Sequence, residues 1–94
     1  MAQWKIAHIR EQGVDLIIVP LERAFGNRPR VTQNEFIEAL QLCADSANLA
    51  GRIVPVWQEG NSFRFIAPSN WHPFFKSLSW NFIIGNLNKT LTCQ

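Results

Sequence analysis

The sequence predicts an α+β domain of ββαββα order, a four-stranded, mainly antiparallel sheet with two helices packed on one face. Three observations carry the prediction. Turn-forming glycines at Gly13 and Gly60 each divide two apolar runs, as the turn of a β-hairpin does. Between the hairpins, apolar residues recur at helical spacing. A second helical period occupies the C-terminal third. With 94 residues there is room for one domain, residues 1–94, and one core.

The first hairpin spans residues 4–21. Trp4 to Glu11 alternates imperfectly, and Gln12-Gly13 supplies the turn. Leu16, Ile17, Ile18 and Val19 follow without a polar break, the pattern of a strand covered on both faces and central in its sheet. Glu22 to Arg30 reads as a loop. The helix is expected over 33–50, with Thr32 and Glu35 forming a capping box and Val31 and Phe36 a hydrophobic staple. Phe36, Leu40, Cys43 and Ala47 make its apolar stripe, and Gly51 stands as its C-terminal cap.

The second hairpin spans 52–67. Phe63 and Phe65 alternate with Ser62 and Arg64. Pro55 has no N–H to give a ladder, so its strand is expected at a sheet edge. Superimposing the hairpins on Gly13 and Gly60 matches Ile6 with Ile53, Ile9 with Val56, and Leu16 with Phe63. Such matches arise from an internal repeat or from apolar alternation alone. The C-terminal helical segment is expected over 70–91, broken near Ser77 to Ser79, with Trp80, Ile84, Leu87 and Leu91 as its stripe.

Composition narrows the function classes. The net charge of +2 is too small to imply nucleic acid or an acidic membrane. The longest unbroken apolar run, Leu16 to Leu21, is far short of a membrane span, and the N-terminus has no apolar stretch of signal-peptide length. A cytoplasmic location is expected. On that expectation Cys43 and Cys93 are favoured as free thiols, with a disulfide the alternative.

No catalytic, metal or cofactor pattern emerges. His8 and His72 lack the spacing of a zinc site. Cys43 or Ser77 with His72 and Asp15 would make a nucleophilic set only if the fold united them, and Cys43 lies on a core stripe. Glu35 and Glu38 are explained by helix capping and solvation. The expectation is therefore a non-enzymatic interaction or regulatory module without cofactor or metal.

Trp71, Phe74, Phe75, Trp80 and Phe82 crowd five aromatic rings into a short segment. Aromatic anchors among polar residues are the currency of protein interfaces, and the low charged fraction, 17%, points the same way, toward a homodimer or another protein partner. The alternative is a nucleic-acid-binding module. It would use Arg23, Arg28 and Arg30 of the loop with Arg64 and the aromatic residues of neighbouring strands, as stacking platforms beside basic tracks do.

The stretch WKIAHIREQGVDLIIVPL, together with NWHPFF, resembles small uncharacterised proteins from cyanobacteria. The resemblance implies a cytoplasmic protein of unknown role and brings no site residue with it.

Overall fold

The computed structural model describes residues 2–93. Its strands are β1 (Ala2–Glu11), β2 (Val14–Leu21), β3 (Arg52–Glu59), β4 (Ser62–Phe65) and β5 (Lys89–Cys93); its helices are α1 (Arg30–Ser46), α2 (His72–Lys76) and α3 (Trp80–Gly85). A 3-10 turn, Arg23–Asn27, precedes α1, and another, Ser69–Trp71, precedes α2. The mixed α+β class stands, with five strands and three helices where four and two were expected. The strand order is β4-β3-β2-β1-β5, antiparallel at every junction except β2–β3, which is parallel. Two parallel neighbours need a crossover, and α1 supplies it.

Expecting both helices on one face is overturned by the burial of β2. Leu16, Ile17, Ile18 and Val19 are all fully buried. Successive side chains point to opposite faces, so each face needs its own cover. Ile17 and Val19 pack under α1 with Leu40, Ala44, Ile6, Ile53 and Leu91. Leu16 and Ile18 pack with Ala7, Val54, Val56, Phe75 and Ile83, under α2 and α3. The sheet is thus the middle of three layers.

Helix α1 starts at Arg30, three residues before the expected 33. Pro29 takes the N-cap position and no side chain caps the helix. The Thr32–Glu35 capping box does not form, because Thr32 is already inside the first turn. Pro29 instead presets the φ at which the helix begins. At the other end Asn48 takes φ +60, with Leu49 N–H donating to Ala44 C=O (2.9 Å) and Asn48 N–H to Asp45 C=O (3.1 Å). This is a Schellman closure with asparagine in the left-handed position. Gly51, assigned that role from sequence, serves another purpose. At φ +133, a Cβ there would stand 2.9 Å from the Asp15 carbonyl oxygen, so the chain can pass β2 only without a side chain.

Both turns have two central residues. Gln12 and Gly13 take φ +53 and +78, the type I′ pattern, whereas at the second turn only Gly60, at φ +61, is positive. Glycine is therefore second in one turn and first in the other. Aligning the turns themselves pairs Glu11 with Glu59. The strand residues so paired face opposite sides of the sheet: Ala7 and Ile9 lie under α2 and α3, whereas Pro55 and Trp57 alternate with Val54 and Val56 and so lie on the α1 side. Laying Gly13 on Gly60 is thus one residue out of register with the two ladders.

Pro55 lies in β3, an interior strand rather than the edge strand expected for it. The exception is local. Ile66 N–H donates to Pro55 C=O (3.2 Å), so the Pro55 backbone faces the β4 side, and β4 has ended at Phe65. No ladder there requires the missing donor. The same bare stretch of β3 is filled by Gln41, whose amide donates to Gly51 C=O (3.0 Å) and accepts from Ile53 N–H (3.0 Å). Asn88 performs the equivalent service for β1, accepting from His8 N–H (2.8 Å) and donating to His8 C=O (2.9 Å). Each amide acts as one residue of a missing strand.

The C-terminal segment corrects the expected helix over 70–91. Helix α2 ends at Lys76 with Ser77 as its C-cap, and Ser79 starts the next helix, its Oγ accepting from Phe82 N–H (3.1 Å). Helix α3 stops at Gly85, and Lys89-Thr90-Leu91-Thr92-Cys93 becomes β5 against the first half of β1. Alternation around Leu91 with β-branched threonines is strand chemistry. Leu91 therefore belongs to the α1 face and not to the stripe of Trp80 and Ile84. Among the described residues no helix is long and apolar enough to cross a membrane.

Cys43 and Cys93 form a disulfide, the state the sequence reading did not favour, with Cα atoms 5.3 Å apart. β5 brings Cys93 beside α1, a neighbourhood that a helix running to residue 91 does not predict. The bridge closes a loop of 50 residues in sequence separation. Loop-closure entropy assigns such a bridge up to about 4 kcal/mol. Reduction is therefore expected to lower the urea midpoint of unfolding, and Cys93→Ser to lower it as far and make it indifferent to reductant. Paired denaturation curves with and without dithiothreitol measure both.

Candidate functional site

The aromatic segment is divided by the fold. Trp71 and Phe75 are buried in the core under α2 and α3, so neither offers a surface to a partner. Phe74 and Trp80 are half-buried against that core. Phe82 remains 42% exposed, and Ile84 43%. A helix as short as α3 turns only part of its circumference to the sheet; Ile83 takes that position.

The arginines also separate. Arg28 pairs with Glu22 (3.2 Å) and Arg64 with Glu59 (3.3 Å), both at the exposed surface. Arg23 lies in the 3-10 turn and Arg30 opens α1, both exposed. Trp57, the aromatic residue opposite Arg64 in the ladder, is only 7% exposed. Its ring packs on Phe25 (5.3 Å) and its Nε1 lies against Gly26, without a hydrogen-bond acceptor. Phe63 and Phe65 lie on the opposite face from Arg64. No exposed aromatic platform adjoins the arginines among the described residues.

The histidines are engaged by backbone. His8 Nε2 lies 2.7 Å from Ala50 C=O and His72 Nε2 2.9 Å from Ala67 C=O. Cys43 is held in the bridge. Among the described residues no three His, Cys, Asp or Glu side chains converge as metal ligands. A hollow of about 650 Å3 is an open depression over the disulfide, lined among the described residues by Leu42, Cys43, Ser46, Ala47, Thr92 and Cys93, none of them charged.

The feature with the most distinctive geometry is the outer edge of β4 and the groove beside it. The groove, about 340 Å3, runs between β4 and the helices, with Phe63, Phe65, Leu78 and Trp80 as apolar walls, Phe75 buried beneath them, and Lys76 as its one charged residue among those described. The rings form a continuous row: Phe63 lies 6.0 Å from Phe65 and 6.3 Å from Trp80, and Phe65 lies 5.3 Å from Phe75. These are ordinary aromatic packing separations.

The backbone of β4 completes the site. In an antiparallel ladder, successive residues direct their N–H and C=O alternately toward the neighbour and away. The Ile66-to-Pro55 bond sets the phase, with Trp57↔Arg64 and Glu59↔Ser62 as the hydrogen-bonded pairs. The N–H and C=O of Phe63 and Phe65 therefore point outward, on a strand with no neighbour on that side among the described residues. Peptide groups and rings of the same two residues thus face one line. The Phe63/Phe65 alternation and Trp80 are legible in the sequence, but their meeting is not, because an edge expected at Pro55 leaves the outer side of β4 unmarked.

Compared with protein-family models, curated proteins and solved structures, the chain matches none.

The division of the aromatic segment has a direct consequence. Phe75→Ala is expected to cost about 3–5 kcal/mol of stability, as a fully buried ring does. Phe82→Ala should stay within about 0.5 kcal/mol. Chemical denaturation of the two variants tests the partition.

Proposed function

We propose that this chain is a non-enzymatic protein-interaction module that receives an extended segment of a partner protein at the outer edge of β4. The observation that carries the reading is the outward pair of peptide groups at Phe63 and Phe65 beside a groove walled by their own rings. Strand addition draws affinity from main-chain hydrogen bonds and selectivity from alternate side chains entering such a groove. The nucleic-acid alternative has less in its favour, since Trp57 is buried and no exposed aromatic platform adjoins the arginines among the described residues.

Self-association finds its support elsewhere, in Phe82 and Ile84, exposed on the two flanks of α3. A dimer through the Phe82 flank would raise the mass seen by light scattering, and Phe82→Asp would return it to monomer. The cytoplasmic location expected from the sequence would leave Cys43 and Cys93 facing a reducing environment, in which the bridge is lost.

Strand addition predicts a specific protection pattern. In the free protein the Phe63 and Phe65 amides exchange with solvent faster than the inward Arg64 amide. Peptides selected from a random display library should slow exchange at Phe63 and Phe65 first. Selected peptides that protect amides elsewhere and leave these two unchanged would overturn the reading.

A further inference from the structure

The edge of β4 carries information about the sequence it would accept, and the key residue is Arg64. It stands between Phe63 and Phe65, on the face away from the groove, and its guanidinium reaches Glu59 at 3.3 Å. A strand added to this edge forms hydrogen-bonded pairs with Phe63 and Phe65. Its residue opposite Arg64 then occupies the intervening non-hydrogen-bonded pair, where cross-strand side chains approach most closely, at about 4.5 Å between Cα atoms.

A second copy of this chain fits that position badly. The antiparallel register that sets the Phe63 and Phe65 groups of one copy against those of another necessarily puts Arg64 opposite Arg64. Like charges directly opposite are destabilising. The groove face adds only Lys76, another cation. Both faces of the added strand would thus meet positive charge, while the groove itself offers aromatic walls.

We propose that the occupant of the β4 edge is an extended segment of a different protein with the pattern apolar–acidic–apolar, the acidic residue opposite Arg64 and the two apolar side chains in the aromatic groove. The inference rests on docking at β4. The five guanidinium N–H groups of Arg64 suffice to hold Glu59 and the incoming carboxylate together. Glu59 keeps the side chain extended on its face before the partner arrives, so less freedom is lost on binding.

The test uses short capped peptides with valine, aspartate and valine at the centre, flanked by threonines, against otherwise identical peptides with lysine or asparagine at the middle position. Affinities are read by titration and the site by amide exchange at Phe63 and Phe65. The aspartate peptide should bind about tenfold more tightly than the lysine peptide, the sum of an attraction gained and a repulsion avoided at a partly exposed pair. Arg64→Glu should invert the order. Arg64→Gln, which sets no second carboxylate beside Glu59, should abolish it.

Protection of Phe63 and Phe65 with equal affinity for all three peptides would overturn the charge rule and leave strand addition standing. No protection at millimolar peptide would overturn both. Protection that appears without peptide as the protein is concentrated would identify a second copy as the occupant and also overturn the proposal.

Discussion

Four consecutive apolar residues, Leu16 to Val19, set the architecture of the molecule. A strand that alternates polar and apolar can leave one face in water, but this one cannot. Each of these side chains is worth roughly 1.5–3 kcal/mol when fully buried, so exposing either face would forfeit the gain from two of them. Coverage on both sides is the cheapest outcome, and the rest of the chain is arranged to provide it. The β2–α1–β3 crossover lays α1 over Ile17 and Val19. The chain from β4 to β5 carries α2 and α3 across Leu16 and Ile18 as it travels from one edge of the sheet to the other.

That journey explains several features that otherwise look unrelated. β4 and β5 are the two edges of one sheet, so the connection between them must cross its whole width. It does so with two short helices separated by Ser77–Ser79, and arrives beside β1 with enough residues for a five-residue strand. Cys93 thereby comes to lie against α1, where Cys43 waits. The disulfide is a consequence of the crossover rather than an independent feature. Gln41 and Asn88 belong to the same account: short edge strands leave neighbouring backbone uncovered, and an amide side chain with both donor and acceptor substitutes for a peptide group.

The candidate site is the part of this arrangement left unfinished. β4 is only four residues long, its neighbour bears Pro55 where pairing stops, and the helices stand back from it far enough to leave an aromatic groove. Edge strands are commonly shielded by charge, shortness or a covering element. Here the first two are present, in Arg64 and in the length of β4, yet the Phe63 and Phe65 peptide groups remain open. Arg64 screens the edge against a copy of itself and against other cations, while leaving it receptive to a strand with an acidic residue at the matching position.

Much of the fold was legible in the residues themselves, because local rules act over short distances. The two hairpins, the doubly buried central strand and the amphipathic α1 follow from turn glycines, β-branched runs and helical spacing. What the residues alone misplaced were features whose meaning depends on distant partners. The capping box at Thr32 lost to Pro29, which already had the right φ. Gly51 proved to be the point where α1's return passes Asp15, not a helix cap. Residues 89–93 have a weak helical period and a weak strand period, and the free edge of β1 decided between them. The sequence by itself determined that Phe63 and Phe65 share a face and that aromatic residues crowd the C-terminal third. Only the tertiary structure decided that Trp71 and Phe75 are core and that β4 is a free edge. Burial and strand order are properties of long-range packing, which no local spacing encodes.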